Sequence, residues 1–93
     1  MEIHIDLHTL ERAAERGTSE EEIKDVIRTR LSVTAKYGRL GKGKIFRFQR
    51  TWRGRFYEQK RVEVFYVTED DAIVTVTAHV FYGQWEGEDA DPL

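Results

Sequence analysis

The spacing of apolar residues changes once along this chain, and that change decides what the chain can fold into. Up to Leu31 the apolar side chains recur three or four residues apart: Leu7, Leu10, Ala13 and Ala14, then Ile23, Val26, Ile27 and Leu31. From Ser32 to Tyr82 they alternate with other residues. The first period belongs to a helix with one buried face, the second to a half-buried strand. Two helices followed by a run of strands is an α+β order.

Local punctuation places the ends. Asp6 is a good N-cap and Gly17 supplies a left-handed stop, so a first helix is expected near 7–16. Thr18 and Ser19 each have a glutamate three residues on, Glu21 and Glu22, the capping-box spacing for a second helix near 19–30. Glu20, Glu21 and Glu22 also put negative charge at the positive end of its dipole. Strands are expected at 32–37, 44–50, 56–68 and 72–82, with a short edge strand at 2–5. Turns fall at the basic stretch of Gly38, Gly41 and Gly43, at Gly54, and at Glu69 to Asp71. The expected architecture is two N-terminal helices packed on one face of a twisted antiparallel sheet of four to five strands. Residues 1–86 are expected to form one domain, and the acidic tail 87–93 to be disordered.

The last strand divides by parity. Ala72, Val74, Val76, Ala78 and Val80 point one way; Ile73, Thr75, Thr77, His79 and Phe81 point the other. The apolar set is expected to face the helices, with Val74, Val76, Ala78 and Val80 against Leu10, Ala14, Ile23 and Ile27. That arrangement leaves hydroxyls and an imidazole on the uncovered face, as in many half-solvated antiparallel sheets.

Composition sets further bounds. Ninety-three residues make one domain with one core. The chain has no cysteine, which removes disulfides, thiolate nucleophiles and cysteine-ligated zinc, and fits a reducing compartment. No apolar run approaches the ~18 residues of a membrane span. The opening residues lack the basic-then-apolar pattern of a secretory leader. A cytoplasmic location without membrane contact is expected.

The net charge of −2 conceals three blocks. Met1 to Ala35 has eight acids against five Lys/Arg, Lys36 to Arg61 has one acid against ten, and Val62 to Leu93 has eight acids and no Lys/Arg. A basic block of this density is an electrostatic footprint for a polyanion. Neutralisation by acids on neighbouring strands accounts for the same pattern equally well.

Several residue types could carry chemistry. His8, Arg12 and Arg16 lie at i, i+4 and i+8, in one polar stripe of the first helix. The stripe could meet a phosphate, but spacing alone favours a solvated helix face with Glu11 and Glu15 beside it, since helix surfaces are normally charged. The basic block interleaves Lys44, Arg47, Arg50, Arg53, Arg55, Lys60 and Arg61 with Phe46, Phe48, Trp52, Phe56 and Tyr57. Guanidiniums hold phosphates and aromatic faces stack on unpaired bases, although some of these rings must belong to the core. His4, His8 and His79 lack the spacing of a zinc motif, so no metal is expected. The glycines do not form a phosphate loop, and neither Ser19 nor Ser32 sits in a nucleophile elbow. Cleavage of RNA without metal or cofactor needs a base, an acid and a cation at the phosphate. Histidine suits the proton transfers and lysine or arginine the charge; tyrosine or threonine can donate a hydrogen bond.

The order of features also resembles a known family. His8 through Arg16 to Gly17, then Thr18, Ser19 and the glutamate run, is similar to the start of the domain family known as DUF4258. Lys60, Arg61, Val62 and Val64, the acidic turn, then Ile73, Val74, Val76 and Thr77 ending at Tyr82 and Gly83, continue the likeness over residues 3 to 86. That family resembles the RelE-like toxins, whose wider fold group includes many ribonucleases. The resemblance implies a toxin-type ribonuclease of a bacterial toxin–antitoxin pair, with the open sheet face as the RNA site. Its partners would be RNA, a cognate antitoxin protein and the ribosome. The matching positions are His8, Lys60 or Arg61, and Thr77; strand geometry adds His79 and Tyr66 to the catalytic candidates. RNA contacts are expected from Arg12, Arg16, Lys44, Arg47, Arg50, Arg53, Arg55 and Arg61. The competing reading is a non-catalytic RNA-binding or protein-interaction module on the same fold.

Overall fold

The computed structural model describes residues 2–85. The acidic tail at 87–93 lies outside the described residues. The chain runs β1 (Glu2–His4), α1 (Leu7–Arg16), α2 (Glu20–Thr29), β2 (Val33–Thr34), a 3-10 turn at Lys36–Gly38, β3 (Leu40–Trp52), β4 (Arg55–Glu69) and β5 (Ala72–Gly83). The five strands form one sheet in the order β1-β5-β4-β3-β2. This is the expected α+β arrangement with one refinement. β1 pairs with β5 in parallel, so the sheet is mixed. Among the described residues no helix is long and apolar enough to cross a membrane.

The helix ends follow the capping residues. Asp6 Oδ1 accepts the Thr9 amide at 2.8 Å, and Ser19 Oγ accepts the Glu22 amide at 3.2 Å. Gly17 adopts φ 99°, and its amide returns to the carbonyls of Ala13 and Ala14. A side chain at Gly17 would also collide with the Tyr82 hydroxyl.

Ile23, Val26, Val62 and Val64 are fully buried between α2 and β4. Each contributes roughly 1.5–3 kcal/mol by leaving water. The stripe expected on α1 is rotated. Thr9 and Ala13 are buried, Leu10 is half-buried, and Leu7 and Ala14 face outward. The line 9–13–16 thus meets the sheet, which brings Arg16 and its neighbours on the stripe toward β5.

The parity expected for β5 holds only beyond its middle. Phe65 pairs with Thr77 but Tyr66 with Thr75, so Val76 is an extra residue in the ladder. This bulge reverses the facing of the first half of the strand. Ile73 and Thr75 are therefore buried, while Val74 and Val76 are only half-buried. Past the bulge, Ala78 is buried and Val80 packs on the core as expected, with Thr77 and His79 facing away from it.

Candidate nucleic-acid interface

Two cavities meet at Thr77. The first is a cleft of about 130 Å³ where α1 runs beside β5, lined by His8, Thr9, Arg12, Arg16 and Val76 to Ala78. β1 pairs with β5 only as far as Val74, so the strand's outer edge beyond that point is open to α1. Arg16 uses that edge: its guanidinium donates to the Ala78 carbonyl at 2.8 Å and reaches Thr77 Oγ1 at 3.5 Å. These bonds hold the planar donor group at the cleft wall; a guanidinium has five N–H donors in all. His8, Arg12, Arg16 and Thr77, four of the expected site residues, are thereby brought to one place.

The second cavity, of about 380 Å³, lies on the open sheet face and is lined by Ala35, Lys36, Tyr37, Arg39, Phe65, Thr77 and His79. His79 stands edge-on to the Phe65 ring at 5.9 Å and 6.5 Å from that of Phe81. Glu63 is its direct partner across the ladder and is engaged by Arg61 Nε at 2.9 Å. Arg61 and Glu63 share this face because Gly43 opposite leaves room: a Cβ there would lie 2.5 Å from the Arg61 guanidinium.

Lys60 and Tyr66 require correction. Both sit on the helix side of β4, 5% and 4% exposed, in line with Val62 and Val64. Lys60 Nζ donates to the Gly17 carbonyl at 2.8 Å and to Glu22 Oε1 at 2.9 Å. The ammonium thus ties the α1–α2 junction to the sheet and lies under the helices, where an RNA backbone does not reach. Period-two alternation assigns Lys60 to the face of Val62, so parity alone carried the signal. Lys44 is similarly placed, paired with Asp25 on α2 at 2.6 Å.

Arg47, Arg50, Arg53 and Arg55 gather toward the β3–β4 turn. Arg50 lies over Phe48 at 4.9 Å, Arg53 over Trp52 at 5.3 Å, and Arg55 over Tyr57 at 5.9 Å. Phe48, Trp52 and Tyr57 in turn surround Tyr82, with centroids 5.2 to 5.4 Å away. Arg47, Arg50, Arg53 and Arg55 are exposed, and none forms an ion pair with an acid among the described residues. Burial raises the Tyr82 hydroxyl above its ordinary pKa, with Glu22 adding to the rise, and that hydroxyl donates to the Arg16 carbonyl at 2.8 Å.

The basic block therefore divides. Lys44, Lys60 and Arg61 are neutralised within the fold. Lys36, Arg39 and the four exposed arginines present their charge outward. Sequence reasoning missed Lys36, Tyr37, Arg39 and Phe65; an aromatic set between two cations just before a glycine-rich turn was the available signal. Among the described residues, no three His, Asp or Glu side chains converge as metal ligands would. Comparisons with family models, curated proteins and solved structures found no match.

Proposed function

We propose that this protein is a metal-independent ribonuclease of the toxin kind, using the cleft between α1 and β5. The observation that carries the reading is the convergence of His8, Arg12, Arg16 and Thr77 in that cleft, with His79 in the adjoining cavity across Thr77. Arg12 and Arg16 hold the scissile phosphate and offset charge as it develops on the pentavalent phosphorus. His79 takes the 2′-hydroxyl proton as that oxygen attacks phosphorus. The bond from phosphorus to the 5′-oxygen breaks, and His8 supplies the proton that the leaving oxygen needs. The products are a 2′,3′-cyclic phosphate and a free 5′-hydroxyl. The toxin setting, with an antitoxin as partner and ribosome-bound messenger as a substrate, rests on the sequence resemblance alone.

A second reading, a non-catalytic RNA-binding module, is favoured by the arginine–aromatic contacts near the β3–β4 turn, which suit single-stranded nucleic acid without any chemistry. One assay separates the two. Purified protein is incubated with RNA in a chelator, with and without ribosomes, and the termini are analysed. Cyclic phosphate ends are expected. His8→Ala and His79→Ala should each lower the rate about 10²–10⁴-fold, the usual loss for a positioned acid or base, with thermal unfolding unchanged. Absence of cleavage under both conditions removes the enzyme reading and leaves the binding module.

A further inference from the structure

The cavity on the open sheet face has a use beyond supplying His79. Its outer wall is Tyr37, 86% exposed, in a short turn that folds the β2–β3 connection toward Phe65 and His79. Nothing in the core holds this ring. Its backbone is left-handed, at φ 61° and ψ 34°, a conformation that side chains with a Cβ rarely adopt. Gly38 follows at φ 72°, so two successive left-handed residues present the ring. The Arg39 guanidinium lies over it, 5.7 Å from the centroid. Phe65 leans over Gly41, where a Cβ would come within 3.0 Å of its ring. That lean lets Phe65 form the floor beside His79.

The cavity thus has the aromatic rings of Tyr37 and Phe65 in its lining, with the cations Lys36 and Arg39, a hydroxyl from Thr77, and no carboxylate among its lining residues. Planar apolar walls select a flat ring, and the cations select an anion attached to it. We propose that this cavity binds the base of one unpaired nucleotide, stacked by Tyr37 and Phe65, with Lys36 and Arg39 on the adjacent phosphate. The proposal rests on the reading above for its polymer, since Thr77 joins the cavity to the phosphate cleft and one strand would occupy both.

The test uses the full chain and an eight-nucleotide oligomer made uncleavable by 2′-deoxy substitution at every position. Its affinity is measured by fluorescence anisotropy, beside versions carrying a single abasic position moved along the strand. One abasic position should weaken binding about tenfold, the scale of one missing base stack. Tyr37→Ala should weaken the intact oligomer by a similar factor and leave the weakest abasic oligomer unchanged. Tyr37→Phe should bind as the unaltered protein does. Tyr37 is exposed, so its removal should leave the melting temperature unchanged. Equal affinity of the Tyr37→Ala protein for the intact oligomer overturns the base pocket, as does indifference to every abasic position. The oligomer cannot be cut, so the two readings fail separately. Loss of cleavage in His8→Ala with no effect of Tyr37→Ala retains the cleft and removes the pocket. A Tyr37 effect in a protein that cuts no RNA retains the pocket and removes the nuclease. Failure to bind either oligomer removes the pocket as well.

Discussion

Two buried polar side chains show how position alone can reverse a residue's meaning. Lys60 has the composition of an RNA contact and the surroundings of a structural tie. Replacing it with methionine keeps the stem, removes the cation from Glu22 and leaves that carboxylate with the Thr18 hydroxyl alone. The expected loss is about 3 kcal/mol, toward the lower end for a broken buried pair because Glu22 keeps some solvent. Thermal melting checks this, and a Lys60→Met protein of unchanged stability would mean the pair contributes nothing. Thr75 is the opposite case. It is 3% exposed and its hydroxyl has no hydrogen-bond partner among the described residues. Thr75→Val removes the orphan group at nearly constant shape. It should stabilise the fold by about 1 kcal/mol, raising Tm by roughly 4–8 °C for a domain of this size.

At the scale of elements, α1 depends on its first turn. The Thr9 amide, with the Thr9 side chain, holds the Asp6 carboxyl below its ordinary value of 3.8. A folded pKa below the unfolded one means the unfolded chain takes up the proton first. The cap's contribution is therefore fully present above the ordinary carboxylate range and is lost as pH falls through and below about 4. Melting followed by circular dichroism between pH 6 and 2 should show an acid-side loss that is smaller in Asp6→Asn; equal acid slopes would exclude the cap as a source. Element type and ends were largely legible because capping and apolar period are local. The first helix begins at Leu7 and ends at Arg16, as Asp6 and Gly17 indicate. The second runs over Glu20–Thr29, inside the expected span. The strand at 32–37 shrinks to Val33–Thr34 because Tyr37 and Gly38 turn left-handed. Alternation alone does not reveal such a turn.

For the whole molecule, charge placement governs what can approach. A single-stranded polyanion held by the exposed arginines near the β3–β4 turn should bind with steep salt dependence, since each neutralised phosphate releases counterions. Replacing Arg47, Arg53 or Arg55 with glutamine should flatten the slope of log affinity against log salt by about 0.7 for each phosphate no longer neutralised. Titration of labelled RNA at several salt concentrations measures it. Binding that ignores salt would assign these arginines to a protein partner instead. By itself, the sequence determined the α+β class, the helix ends and the existence of a basic block, because period, capping and composition act between residues close along the chain. Tertiary structure alone decided which basic residues stay outside, which face of β5 is buried and where the cavities form. Each of those depends on a partner far away in sequence. Lys60 is neutralised because α2 sets Glu22 above it. Parity reverses because β5 takes one more residue than β4 at Val76. His8 and Thr77, separated by most of the chain, share a cleft because β1 leaves the β5 edge beyond Val74 uncovered for α1.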